Sequence, residues 1–175
     1  MFSTVIKAAL FSAGHGGQFG FGGSQSPEAC AMSALFLAEI VLPGVKRSVS
    51  AARRCVGEVL LVAGHEDMDD VQLVVSELVT NAVAHTASGE PGGFVTVEVS
   101  SLDAVTAYIE VVDDGATATA PEVRKADADE CGGRGLWLVE AVAARWGARD
   151  EGLRRRVVWA EMSTKNGTSA RAARA

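Results

Sequence analysis

Glu77 and Asn81 stand four residues apart in the run Val74-Val75-Ser76-Glu77-Leu78-Val79-Thr80-Asn81-Ala82-Val83-Ala84-His85. At roughly 100° per residue, Val71, Val75, Leu78 and Ala82 share one face of a helix, and Glu77, Asn81 and His85 fall beside that face. A carboxylate and an amide so close to an apolar seam lose hydration unless something polar meets them, at a cost of about 1–3 kcal/mol per group. A metal-bound anionic ligand would be such a partner. A solvated helix edge accounts for the stripe equally well, because polar pairs at this spacing are common on helices.

Two further motifs bear on that choice. Gly132-Gly133-Arg134-Gly135 precedes an amphipathic run. A glycine-rich loop opening a helix presents unpaired N–H groups and the positive end of the helix dipole, which suits an anion. Arg134 would add charge. A plain glycine turn entering the helix reads the same residues without a ligand. Asp113-Asp114-Gly115 closes a run of strand character. Asp and Gly are ordinary turn residues, but a carboxylate at a strand end can also accept from an exocyclic amine.

The elements that must position these residues follow from periodicity. Leu35 to Leu42 reads as a short strand stopped by Pro43-Gly44. Val49, Ala52, Val56, Val59, Leu60 and Ala63 recur at helical spacing, predicting a helix from about Val45 to Ala63, with Gly64 as its stop. Asp67, Asp69 and Asp70 place negative charge at the start of the next helix, near 68–86. Phe94 to Ser100 and Ala104 to Val112 alternate as strands, joined by the short Leu102-Asp103 connection into an antiparallel hairpin. Ala116 to Cys131 has no period and reads as a lid or a disordered segment. The following helix turns Leu136, Val139, Val142 and Ala143 inward and ends near Trp146-Gly147, and Arg156 to Met162 is a final strand. The order strand, two helices, two strands, lid, helix, strand predicts an α+β fold. It is a two-layer sandwich with helices on one face of a mixed, mostly antiparallel sheet.

Residues 1–33 differ from the rest, with Gly14, Gly16, Gly17, Gly20, Gly22 and Gly23 crowded into one segment. The cost in backbone entropy predicts a flexible leader. A phosphate-cradling role for these glycines would need a Lys-Ser/Thr ending and a flanking strand, which they lack. Residues 34–162 form the expected domain and 163–175 a disordered basic tail. The chain of 175 residues has 48% hydrophobic and 22% charged residues, ordinary values for a globular protein. A net charge of −6 argues against a nucleic-acid-binding surface. Cys30, Cys55 and Cys131 are far apart and unpaired in spacing, which argues against a disulfide framework and a zinc site and for reduced thiols. No apolar run reaches the ~18 residues of a membrane span, and Lys7 interrupts the apolar start, so no signal peptide is expected. A cytoplasmic protein is the expectation.

Taken in order, Glu77…Asn81, Asp113-x-Gly115 and Gly133-x-Gly135 resemble the N, G1 and G2 boxes of the GHKL ATPase superfamily, whose nucleotide-binding unit is the Bergerat fold. Ser76 to His85, Val112-Asp113-Asp114-Gly115 and Gly132 to Val139 look like the RsbW-like anti-sigma-factor serine kinases. Ser48 to Arg54 and Val158-Trp159-Ala160-Glu161 fit the same group. The likeness covers about Leu35 to Met162. It implies ATP and magnesium as cofactors, with Asn81 ligating the magnesium and Glu77 orienting or deprotonating the attacking hydroxyl. Asp113 would accept from the adenine amine, Gly115 would let the base approach, and Gly133, Arg134, Gly135 and Leu136 would line the phosphates. His85, a turn beyond Asn81, is expected to bond structurally. The implied partners are a sigma factor and an anti-sigma-factor antagonist phosphorylated on serine, and relatives commonly form homodimers. The chain departs from the pattern at Thr117, where a second glycine is frequent, at Cys131, where some relatives carry arginine, and at Val157, where a hydroxyl is usual. Two other readings stand beside this one. One is a non-catalytic ATP-binding interaction module. The other is a stand-alone histidine-kinase catalytic domain, for which His65 is the only candidate acceptor.

Overall fold

The computed structural model describes residues 5–8, 34–115, 134–152 and 155–165. Among the described residues six strands and three α-helices follow one another: β1 (Val5–Ala8), β2 (Leu35–Pro43), α1 (Arg47–Val62), α2 (Asp69–His85), β3 (Phe94–Asp103), β4 (Thr106–Asp113), α3 (Arg134–Val142), β5 (Arg145–Glu151) and β6 (Arg155–Ser163). They build one sheet in the order β1-β2-β3-β4-β6-β5, with every neighbouring pair antiparallel. The helices pack on one face, giving the two-layer α+β sandwich that the element order predicts, although the sheet is wholly antiparallel among the described residues rather than mixed.

Alternation decides which side chains meet the helices. Ala38, Ile40 and Leu42 of β2, Val95, Val97 and Val99 of β3, and Ala107, Ile109 and Val111 of β4 are all within the core. Ala52, Val56 and Leu60 of α1 lie against them, as do Val71, Val75, Leu78 and Ala82 of α2. The apolar face of α2 is therefore the one the sequence predicts, widened by Val74 and Val79. Where α1 stops, Gly64 takes φ +92°. Gly64 N–H donates to the Leu61 carbonyl at 3.1 Å and His65 N–H to the Leu60 carbonyl at 3.0 Å. This is the paired closure of a Schellman ending, which needs a residue at ease with positive φ.

Four sequence-based expectations are corrected. Trp146-Gly147 does not end a helix: α3 stops at Val142 and Arg145–Glu151 is an edge strand against β6. Four residues of the stretch read as a leader, Val5–Ala8, form strand β1 on β2. The last strand runs past Met162 to Ser163, and Thr164 beyond it is buried. The hairpin turn lies at Ala104-Val105, where Asp103 Oδ1 accepts from Val105 N–H at 2.8 Å. The proposed lid, Gly132, Gly133 and most of the leader and tail lie outside the described residues.

At the end of the sheet near this turn, His65 is 2% exposed. Its Nδ1 lies 2.6 Å from Thr164 Oγ1 and its Nε2 3.0 Å from Ser101 Oγ. Ser101 donates its own proton to the Asp103 carbonyl, so Nε2–H must be the donor to Ser101 and Nδ1 the acceptor from Thr164. Burial pushes the imidazole pKa below its ordinary value, against a smaller upward pull from Asp103. The network closes without a charge.

Candidate functional site

α2 runs from the His65 end of the domain toward the other end, and carries Glu77 and Asn81 there. Both are half-buried, and neither makes a hydrogen bond or ion pair among the described residues. α3 packs against α2 at this point. A Cβ built on Gly135 would lie 2.6 Å from Glu77 Oε2 and 3.5 and 3.6 Å from the Asn81 amide atoms. Glycine in the first turn of α3 thus leaves room for the Glu77 carboxylate against the positive end of that helix. The atom that any larger residue would strike is the tip of a flexible side chain, so the constraint falls on the carboxylate rather than on the fold.

The Asp113 turn is the second component. Asp113 ends β4 and is 4% exposed. Its Oδ1 accepts from Gly115 N–H at 2.8 Å, a turn closed by Gly115 at φ +73°. Burial raises the Asp113 pKa above its ordinary value. The Gly115 hydrogen bond and Arg156, its cross-strand partner, hold it down, while Asp114 and Asp150 add smaller upward pushes. No other hydrogen bond reaches this carboxyl among the described residues. Its second oxygen is thus left open as an acceptor among the described residues. A buried carboxylate with one oxygen fixed and the other open is suited to accept from a single planar donor.

Of the other residues singled out in the sequence, Leu136 is half-buried and packs on the core. Arg134 begins α3, and Gly133, Thr117 and Cys131 lie outside the described residues. His85 is exposed, and its side chain makes no hydrogen bond among the described residues. Val157 is fully buried and paired with Val112. Cys55 is a buried free thiol whose pKa burial raises. Among the described residues no group of His, Cys, Asp and Glu could hold a metal by itself. Any cation here would need oxygens from a ligand as well as from Asn81. Glu77 Oε2 and the Asn81 amide stand where a side chain at Gly135 would be, and such a carboxylate and amide, without side-chain partners among the described residues and beside a helix N-terminus, suit an anion carrying such a cation.

Sequence reasoning missed Ser88, the innermost residue of the short turn Ala87–Gly89. It is fully buried, and its Oγ accepts from Asp114 N–H at 2.9 Å. Ala87 N–H donates to the Gly115 carbonyl at 2.8 Å, so the turn after α2 holds the Asp113 turn. The signal was present in the glycines around it. A Cβ on Gly44 or Gly93 would run into the Ser88 carbonyl.

Comparison with known proteins gives the family. Residues 42–160 match the family described as the histidine kinase-like ATPase domain, and the chain belongs to that family. Among curated proteins it is similar to the serine-protein kinase RsbW of Listeria innocua serovar 6a. The two are 32% identical over 115 residues, 58% of this chain and 71% of that protein. The serine-protein kinase RsbW of Listeria monocytogenes serotype 4b matches with the same identity and coverage. The chain thus lies in an ATP-binding, kinase-related family of the GHKL type. Among the described residues no helix is long and apolar enough to cross a membrane.

Proposed function

We propose that the chain is an ATP-binding anti-sigma factor that phosphorylates a serine of an anti-sigma-factor antagonist, and so decides which of two partners it retains. The observation that carries this reading is the pair Glu77 and Asn81, half-buried, without side-chain partners among the described residues and set together against Gly135 in the first turn of α3. A carboxylate and a polyphosphate repel each other unless a cation lies between them. Asn81 offers a neutral hard oxygen, suited to magnesium. Magnesium ATP, when bound, supplies the phosphoryl group that is transferred.

Each residue then has a role. Glu77 Oε2 accepts the proton of the partner's serine hydroxyl and sets its line of approach, because positioning and charge neutralisation dominate this chemistry. Asp113 accepts from the adenine amine with its open oxygen, and Gly115 lets the base lie against the backbone. Gly133, Gly135 and Leu136, with Arg134, form the phosphate side. The functional unit spans 34–162, extended to Thr164 by the His65 contact. The proposed setting is cytoplasmic and the proposed assembly a homodimer, by likeness to the serine-protein kinases named above. His65 is buried and bonded on both nitrogens, which favours a serine-directed kinase over a histidine kinase using that residue as acceptor.

The test is Glu77→Ala. ATP uptake, followed by calorimetry, is expected to persist, while phosphorylation of proteins that co-purify with the chain falls by about 10²–10⁴-fold. If the wild-type chain binds ATP but phosphorylates no partner, it is an ATP-dependent binding module. If the wild-type chain takes up no ATP with magnesium at all, the nucleotide reading ends.

A further inference from the structure

Ser88 occupies a place that no role above uses. It lies in the turn after α2, away from Glu77 and Asn81, yet it is fully buried with its hydroxyl and its backbone N–H both engaged. Thr86 Oγ1–H donates to the Ala82 carbonyl at 2.6 Å, one residue past Asn81. The Thr86 oxygen in turn accepts from Ser88 N–H at 3.2 Å. Ser88 Oγ accepts from Asp114 N–H at 2.9 Å and directs its proton to Asp114 Oδ2 at 3.4 Å. The same Oδ2 accepts from Phe94 N–H at 3.3 Å. An unbroken relay of hydrogen bonds therefore joins the end of α2 to the turn that contains Asp113.

The backbone beneath this relay has no slack. Gly44 N–H donates to the Gly93 carbonyl at 2.9 Å, and any side chain on either glycine would strike the Ser88 carbonyl. Clamped by backbone on that side, Ser88 presents its hydroxyl to Asp114 in one position. Strand pairing cannot do this work, since β4 ends at Asp113 and Asp114 has no ladder partner.

We propose that Ser88 is a positioning residue for base recognition: it holds the Asp113–Gly115 turn where the open Asp113 oxygen meets the base, and it couples that turn to the helix bearing Asn81. This rests on the nucleotide reading above. The relay acts on the base end of the ligand and leaves the phosphate end alone.

The experiment compares the full wild-type chain with Ser88→Ala and Thr86→Val by calorimetry, using magnesium with ATP, GTP and inorganic tripolyphosphate. Ser88→Ala is expected to weaken ATP about tenfold, the effect of one lost hydrogen bond. Tripolyphosphate affinity stays as in the wild type, so the preference for ATP over GTP shrinks by a similar factor. Thr86→Val shifts the same ratio by less, and it carries the test if Ser88→Ala does not fold. His65→Gln, at the opposite end of the domain, controls for stability: it lowers the melting temperature and leaves the ratio unchanged. An ATP-to-GTP ratio unmoved in the Ser88 and Thr86 variants, with the wild type still binding ATP, overturns the role of Ser88 alone. Equal weakening of all three ligands also overturns it, since that is the mark of a general structural loss. A wild-type chain that ignores ATP removes the nucleotide reading and this inference together.

Discussion

At the end of the sheet that carries Asp103 and Thr164, His65 has both ring nitrogens in hydrogen bonds. At the opposite end, Glu77 and Asn81 have none among the described residues. Both sets of groups sit beside the same apolar core, so burial alone does not explain the difference. The His65 end is closed on itself: a neutral imidazole, two hydroxyls and a carbonyl satisfy one another. The Glu77 end keeps donors and acceptors in reserve and fixes only their surroundings, through glycines that admit close backbone approach and through Ser88. A region whose polar groups are already matched serves stability. A region that leaves a carboxylate and an amide unmatched is arranged for something that arrives later.

The contrast can be broken most sharply through its glycines. Gly44→Ala drives a methyl group into the Ser88 carbonyl, a collision with backbone that has no side-chain escape. The expected loss is about 3 kcal/mol in chemical denaturation, with nucleotide affinity falling as well. Gly64→Ala is the partner experiment at the other end. It meets no atom and suffers only from φ +92°, so about 1–2 kcal/mol is expected with affinity unchanged. Equal effects of both substitutions on affinity would erase the distinction between the two ends.

Asp113→Asn separates stability from recognition. The buried carboxyl has its pKa raised above 3.8, so the native state binds more protons than the unfolded chain from that value up to the raised one. Stability therefore falls as pH rises through this window, and at neutral pH the ionised, buried group is a cost. Asparagine keeps an acceptor for Gly115 N–H and has no charge to bury. Its melting temperature at neutral pH is expected to equal or exceed that of the wild type. Its amide donors face the donor of the base, so ATP affinity should drop about ten- to hundredfold.

The smallest effect belongs to His65 and runs the other way with pH. Its pKa is lowered from 6.5 by burial, so the unfolded chain takes up a proton that the native state refuses. Stability is complete above about pH 6.5 and is lost as pH falls from there toward the lowered value. Urea denaturation across that interval should show uptake of about one proton on unfolding, and His65→Gln should remove it.

The parts of this arrangement that were legible in the sequence are those set by local chemistry. The apolar face of α2, the glycine that ends α1, the hairpin of β3 and β4 and the order of the three motifs depend on residues near one another in the chain. Strand β5 was hidden because Arg145-Trp146-Gly147-Ala148-Arg149-Asp150-Glu151 is mostly charged and small. As an edge strand it needs only one partner and benefits from charges that discourage a second. Arg149, for example, grips Glu110 of β4 with two hydrogen bonds of 2.7 and 3.0 Å. Ser88 and His65 escaped for a different reason. A serine in a glycine-rich loop and a histidine after a helix are unremarkable until residues 26 and 99 positions away are seen beside them.

Thr164 lies two residues beyond Met162, where hydropathy alone would close the domain. Trimming the chain at Met162 would preserve nearly all of the greasy interior yet strip the imidazole of one of its two mates. The margin of the described domain is thus drawn by a hydroxyl group, and anyone shortening or fusing it at this end should count atoms there before counting strands.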